Sequence, residues 1–407
     1  MAAFPAVPPR EKPTDRPLSA AMHRLYDQWS PLQDPGNEFF TSFRYARITG
    51  IGRDAKVSRR DPSSVIKVGD LFYVWYTRRE TESEPVGIEN GPDHLPAVDW
   101  DLADLWYATS TDGFDWQERG VAVARTAPGE YGDRSATTCD ILAANGRYYL
   151  YFQTFTGPFR RERGDYCDVS MAWADSPDGP WQRVDRPVVE LGAPDEWDSR
   201  SIHDPFVIVY RGKYWLYYKG APLEQEPGRT ILRAGGVAIA DRPEGPFVKS
   251  PLNPVVNSGH ETMYWPYRGG VAGLVAMDGP EKDTVQYAPD GLNFEVKAHV
   301  QMPPIAGGPF CPDAFADDGD GRGITWGLSH LTDIPDAEQL YPRRHSFLVR
   351  FDCDLHRDLN RRGFKVNNLR CDEHTFMQSA FALRGWQHEE SISLARSAPA
   401  TVNRAVG

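Results

Sequence analysis

Five short stretches set an acid, or an acid beside an imidazole, next to an apolar run. They are "SRRDPS" with Asp61, "TTCDIL" with Asp140, "SIHDPF" with His203 and Asp204, "NSGHET" with His260 and Glu261, and "FCPDAF" with Asp313. An Asp ahead of a strand commonly caps a turn. Recurrence at one sequence context points elsewhere, because gathered carboxylates repel and push one proton affinity above the others. Two carboxyl groups with different proton affinities suit glycoside hydrolysis, in which one protonates the leaving oxygen and the other activates water or attacks the anomeric carbon. Trp100, Trp106, Tyr264 and Trp265 lie near these motifs and suit stacking on sugar faces.

The elements that must carry these residues form a repeat. An acid precedes an apolar strand, a Gly-containing turn follows, and an aromatic strand comes next, as in "SVIKVGDLFYVWYTR", "DILAANGRYYLYFQTF" and "DPFVIVYRGKYWLYYKG". Two further copies start near Gly259 and Phe310, and each copy ends in a second hairpin such as "STDGFDW", "DSPDGPW" or "DRPEGPF". Each holds roughly four strands, and starts fall about 50–80 residues apart, the spacing of propeller blades. Five copies imply an all-β fold, a five-bladed β-propeller. A blade sets its first strand against the central axis, so Asp61, Asp140, Asp204, the His260–Glu261 pair and Asp313 are expected at one mouth of the channel.

Composition narrows the function. A net charge of −12 over 407 residues argues against a nucleic-acid partner. No run approaches the ~18 apolar residues of a membrane helix. The start "MAAFPAVPPREKPTDRP" has no signal-peptide pattern, which gives a cytoplasmic or periplasmic expectation. Five scattered Cys without a paired spacing read as free thiols.

Three regions follow: residues 1–45 as an arm with a helical segment, 46–355 as the catalytic propeller, and 356–407 as a partly disordered extension. The helical segment is "LSAAMHRLYDQW", with apolar residues at helical spacing, and "EHTFMQSAFALRGW" in the extension is also read as helical. An amphipathic helix outside a propeller must bury its apolar face, either on its own chain or on a second copy.

"SRRDPS", "SIHDP" and "NSGHE", in that order at blade spacing, together with "SAAMHR" through Ser19, Ala21 and Arg24, resemble glycoside hydrolase family 117 over about Leu18–Leu355. The resemblance implies an inverting exo-hydrolase that frees 3,6-anhydro-L-galactose from the α-1,3-linked non-reducing end of neoagarobiose and neoagaro-oligosaccharides, in agar degradation. It implies Asp61 as general base, Asp204 as the residue tuning its neighbours, and His260 or Glu261 as the acid. It places Trp100, Thr138, Gln153 and His203 against the terminal sugar. It also implies a homodimer through the N-terminal helix.

His260 is favoured over Glu261 as acid, because strand alternation lets only one of them reach the channel fully and a His among carboxylates holds its proton. Alternation likewise sends at least one of Arg59 and Arg60 away from the site, and gives His203 and Asp204 different tasks. No cofactor is required, although the carboxylates would accommodate a divalent cation in the channel through water, with no ligand set assigned. An arabinosidase, xylosidase or fructosidase on the same propeller, an enzyme on a related red-algal galactan, and a non-catalytic lectin are the competing readings.

Overall fold

The computed structural model describes residues 4–27, 37–87, 93–158, 166–223, 234–310, 323–333 and 345–355. Asp313, Cys311, Cys371 and the C-terminal helical stretch lie outside them.

The strands form five antiparallel sheets arranged as a β-propeller. Blade two is Ser135–Ala144, Arg147–Phe155, Asp168–Ala174 and Gln182–Arg183. Blade three is Ser201–Tyr210, Lys213–Ala221, Ala234–Ala240 and Val248–Lys249, and blade four runs from Met263–Tyr267 to Glu295–His299. In blade one the inner edge is broken into Val57–Arg60 and Ile66–Val68, both paired with Leu71–Glu80. Blade five is Gly308–Phe310, Trp326–Asp333 and His345–Asp352, and its outer strand is Arg44–Ala46, so a strand from the start of the chain closes the ring.

Apolar clusters fill the spaces between neighbouring blades. Trp75, Ile141 and Phe152 pack between blades one and two, and Tyr151, Val207 and Tyr218 between two and three. The largest cluster joins blades three, four and five through Tyr217, Trp265 and Phe351. Trp265 and Tyr264 are therefore core residues, Tyr264 stacking on Tyr217 at 4.0 Å between ring centroids, and neither presents a ring face at the surface, contrary to the expectation of sugar platforms. Trp106 carries the Arg78 guanidinium at 3.8 Å on the outer part of blade one.

Helix α1, Ala20–Asp27, buries Ala21 and Met22 against the propeller of its own chain. No helix among the described residues is long and apolar enough to cross a membrane.

One backbone feature recurs at the mouth of the channel. Asp61, Thr138, Asp204 and Glu261 have φ of 51°, 32°, 52° and 57°; Thr138 and Asp204 lie within the inner strand of their blade, and Asp61 and Glu261 flank theirs. The pairing register shifts at this point between Thr137 and Cys139 and between His203 and Phe206. A left-handed residue in a strand breaks the alternation of side chains and can turn its own toward the axis.

Candidate active site

This backbone twist builds the site. Asp61, Asp204 and Glu261 come together, as expected. Asp140 does not join them: Thr138 holds the equivalent place in blade two, and Asp140 lies two residues deeper. Its Oδ1 accepts the Ser64 amide and its Oδ2 the Val207 amide, both at 2.9 Å, so it ties the inner strands of blades one and three together. Burial raises its pKa to about 6. Counting acids along the repeat missed this, because the register rests on backbone conformation rather than residue type.

Asp61 is almost fully buried. Arg60 Nε donates to its Oδ2 at 2.8 Å and Thr138 Oγ1 to the same oxygen at 3.1 Å. His330 Nδ1 lies 3.2 Å from Oδ1. Burial alone would raise the Asp61 pKa, but Arg60 and His330 hold it well below the usual carboxylate range. Arg60 also reaches Asp99 at 3.8 Å and Glu261 at 3.9 Å, while Arg59 turns away to Glu118 at 2.8 Å. The Arg pair therefore divides as alternation requires. Arg60 and Asp61 nonetheless touch as neighbours, which an extended strand would forbid and the φ of Asp61 allows.

Asp204 is held by Lys219 Nζ at 3.1 Å from Oδ2, and its amide donates to Gln153 Oε1 at 3.1 Å. Burial works against its ionisation, yet Lys219 and the neighbouring histidines lower its pKa. His203 and Gln153 lie buried beneath it, joined through His203 Nδ1 and Gln153 Nε2 at 3.0 Å, with Cys167 Sγ 3.5 Å from the same ring nitrogen. His203 and Asp204 thus do have different surroundings.

Glu261 is pressed between the other two acids. Burial, then Asp61, then Asp204 push its pKa well above the usual range, with Arg60 and Lys219 opposing. His260 sits nearer the mouth, its side chain 30% exposed. Its Nδ1 is 3.1 Å from Asp278 Oδ2, and its Nε2 is 3.9 Å from both Asp204 Oδ2 and Glu261 Oε1. Burial and Lys219 lower the His260 pKa despite the carboxylates around it. The expectation that carboxylates would keep His260 protonated thus underweights burial and Lys219.

Trp100 forms the wall over Arg60, with the guanidinium 4.8 Å from its ring centroid. Its loop is stapled on both sides. Arg79 Nη2 meets Asp99 Oδ1 at 3.0 Å, and Arg134 grips Asp101, with Nε 2.5 Å from Oδ1. Both acids are buried, so these pairs fix the indole rather than decorate the surface.

Two residues of the site, Lys219 and His330, escape the sequence reading. Each lies on the second strand of its blade, and the one available signal is a basic residue inside an apolar strand, "KYWLYYKGA" and "WGLSHLTD". Asp61, Glu261 and His330 bring potential ligand atoms within 4.8 Å of one another, as do Asp204, His260 and Glu261. Arg60 and Lys219 already lie against Asp61 and Asp204, so a cation would have to compete with both. Asp61 Oδ1 and Asp204 Oδ2 are both buried, with His330 Nδ1 at 3.2 Å from the first and Lys219 Nζ at 3.1 Å from the second.

Known proteins share the sequence and the fold. The sequence pattern of glycosyl hydrolases family 43 matches residues 55–234. The xylosidase/arabinosidase 43A of Humicola insolens is 30% identical over 142 residues, covering 32% of this chain, and the chain spans 42% of that relative's length. A solved glycoside hydrolase shares the fold at 13% identity and a TM-score of 0.51, over 81% of this chain and 94% of its own. Much nearer is Zg3597, a family 117 glycoside hydrolase of the marine bacterium Zobellia galactanivorans. It is 43% identical with a TM-score of 0.72, over 89% of this chain and 99% of its own. The buried acids at the mouth of a five-bladed propeller thus have a known setting: the chain belongs to glycoside hydrolase family 117 and is a glycosidase.

Proposed function

We propose that the chain removes 3,6-anhydro-L-galactose from the non-reducing end of neoagarobiose and neoagaro-oligosaccharides, with Asp61 as general base and Glu261 as the proton-carrying acid. The observation that carries the assignment of roles is the position of Glu261 against Asp61 and Asp204. A general acid must hold a proton at working pH, and of the three acids only Glu261 is pushed that way. Asp61, kept ionised by Arg60, receives the proton of the attacking water at Oδ1. Asp204, paired with Lys219, supplies negative charge beside the developing oxocarbenium ion. Trp100 and Thr138 contact the terminal sugar, and Gln153 and His203 support that subsite from beneath. Family membership and the stapled Trp100 wall support an exo-acting pocket for one terminal residue.

A second reading gives the acid role to His260. It rests on spacing: Asp61 and Glu261 approach within 4.8 Å, shorter than the ~6.5–9.5 Å typical of inverting pairs. His260 stands nearer the mouth, where the leaving sugar would exit. Following the product anomer from neoagarobiose by NMR, in wild type, Glu261→Gln and His260→Ala, tests both. Inversion with loss in His260→Ala alone would transfer the role to His260. Absence of sugar release from neoagarobiose by the wild type, with turnover of aryl arabinosides or xylosides, would replace the substrate. We also propose a homodimer in which helix α1 fills the same socket on a second copy, testable by light scattering.

A further inference from the structure

Ser19, Ala21 and Arg24 on the N-terminal arm point at the acid pair. Ser19 Oγ accepts the Met22 amide at 3.3 Å, capping α1, and donates to the Pro254 carbonyl at 2.7 Å. Ala21, fully buried, offers its carbonyl to Asn257 Nδ2 at 2.6 Å. Arg24 meets Glu281 through both ends of its fork, Nε to Oε1 at 2.7 Å and Nη2 to Oε2 at 3.2 Å. The helix thus grips two loops, residues 254–262 and 277–283.

These loops are locked to each other. Ser258 Oγ accepts the Glu281 amide at 2.8 Å and donates to Asn257 Oδ1 at 2.9 Å. The Gly259 amide donates to the Asp278 carbonyl at 2.6 Å, and the His260 amide to the Ala276 carbonyl at 3.0 Å. Gly279 has φ +90°, and a Cβ there would stand 2.8 Å from the Ser258 Cα, so the loops approach backbone to backbone. One loop continues directly into His260 and Glu261. The other carries Asp278, the partner of His260 Nδ1 at 3.1 Å.

Glu261 needs such a hold. It adopts a left-handed backbone and faces two carboxylates, and both conditions favour its swinging away. Strain of this kind persists only where the surroundings over-determine it. We infer that helix α1 is a positioning element for the His260–Glu261 pair, with Arg24 and Asn257 as the positioning residues that transmit its hold through the two loops. This rests on the reading of His260 and Glu261 as the acid pair.

The test is hydrogen exchange on the full chain, wild type against Arg24→Met, with Arg24→Lys as the variant that keeps charge and loses the fork. The amides of Gly259, His260 and Glu281 should exchange about tenfold faster in Arg24→Met, and by a smaller factor in Arg24→Lys, while Ser135–Ala144 in blade two keeps its protection. On neoagarobiose, kcat should fall by roughly 10–100-fold with KM changing little. Unchanged exchange in the two loops, or an equal rise in blade two, would overturn the inference. The exchange measurement needs no substrate, so failure of the substrate assignment would show separately, as an inactive wild type.

Discussion

Replacing Glu261 by Gln should weaken the enzyme and stabilise the protein, and the second effect should depend on pH. Glu261 lies within 4.8 Å of both Asp61 and Asp204 in terms of nearest oxygens. At an effective dielectric constant of about 20, each such pair of charges repels by about 3.5 kcal/mol. Arg60, at 3.9 Å, returns about 4 kcal/mol on the same scale. An ionised Glu261 is therefore opposed by about 3 kcal/mol before burial, which adds to the same side, and Lys219, which takes part of it back. Gln, which cannot ionise, should gain ~1–3 kcal/mol where wild type is forced to ionise, or roughly 2–12 °C in Tm at ~2–4 °C per kcal/mol. The folded pKa of Glu261 is raised, so its contribution to stability is complete below the unfolded value near pH ~4.3 and is lost as pH rises through the folded value. The Tm advantage of Gln should be absent at about pH 4 and grow towards about pH 8. Activity on neoagarobiose should fall by ~10²–10⁴-fold, and much less on aryl glycosides whose leaving groups need no proton. Calorimetric scans of both proteins at about pH 4, 6 and 8 make the comparison. A difference in Tm that stays constant across that range, or full activity in the variant, would refute the argument.

Other outcomes follow from the same geometry. Asp61→Asn should abolish release of anhydrogalactose while leaving the circular dichroism spectrum unchanged; retained turnover would remove Asp61 from the base role. Lys219→Met removes one partner of the buried pair with Asp204, 3.1 Å apart, and should cost ~3–5 kcal/mol in denaturant unfolding, together with a fall in kcat. Gly279→Ala forces a Cβ to 2.5 Å from Ser258 Oγ at a φ of +90°, so it should lower Tm and reduce activity together, as thermal scans and initial rates would show.

The repeat was readable because alternation and Gly turns are local properties, and it led directly to five blades. Asp61, Asp204 and Glu261 were readable because each directly precedes or interrupts an inner strand. The partners that set their charge were harder to see. Lys219 and His330 stand on second strands, where sequence shows only a basic residue among apolar ones, and ring closure brings them to the axis. Alternation was the wrong tool at four positions. Asp61, Thr138, Asp204 and Glu261 are left-handed, so Arg60 and Asp61 can touch and His260 and Glu261 can share one site. The exchange of Asp140 for Thr138 has the same origin. Trp265 and Tyr264 resemble sugar platforms in sequence, and their burial depends on inter-blade packing that no single strand reveals.

The closure of the ring has a mechanical consequence. The propeller is a split washer, and its cut lies in blade five, where Arg44–Ala46 meets His345–Asp352 through three residue pairs. Covalent chain joins every other blade to the next. If the cut parts, Arg44–Ala46 leaves with blade one, and Trp326–Asp333 stays with blade four. Asp61 travels with the first edge and His330 with the second, so the 3.2 Å contact between them spans the gap. Tyr45, whose hydroxyl donates to the Met302 carbonyl at 2.7 Å, and Phe43, edge-on to Phe351, help to keep it shut, together with bonds from blade five to blade one such as the Ser346 amide to Ser58 Oγ at 3.0 Å. The carboxylate proposed as the base is thus held by Arg60 and by a contact to His330 that exists only while the washer is closed, which links the first strand of the chain to the proton affinity of Asp61.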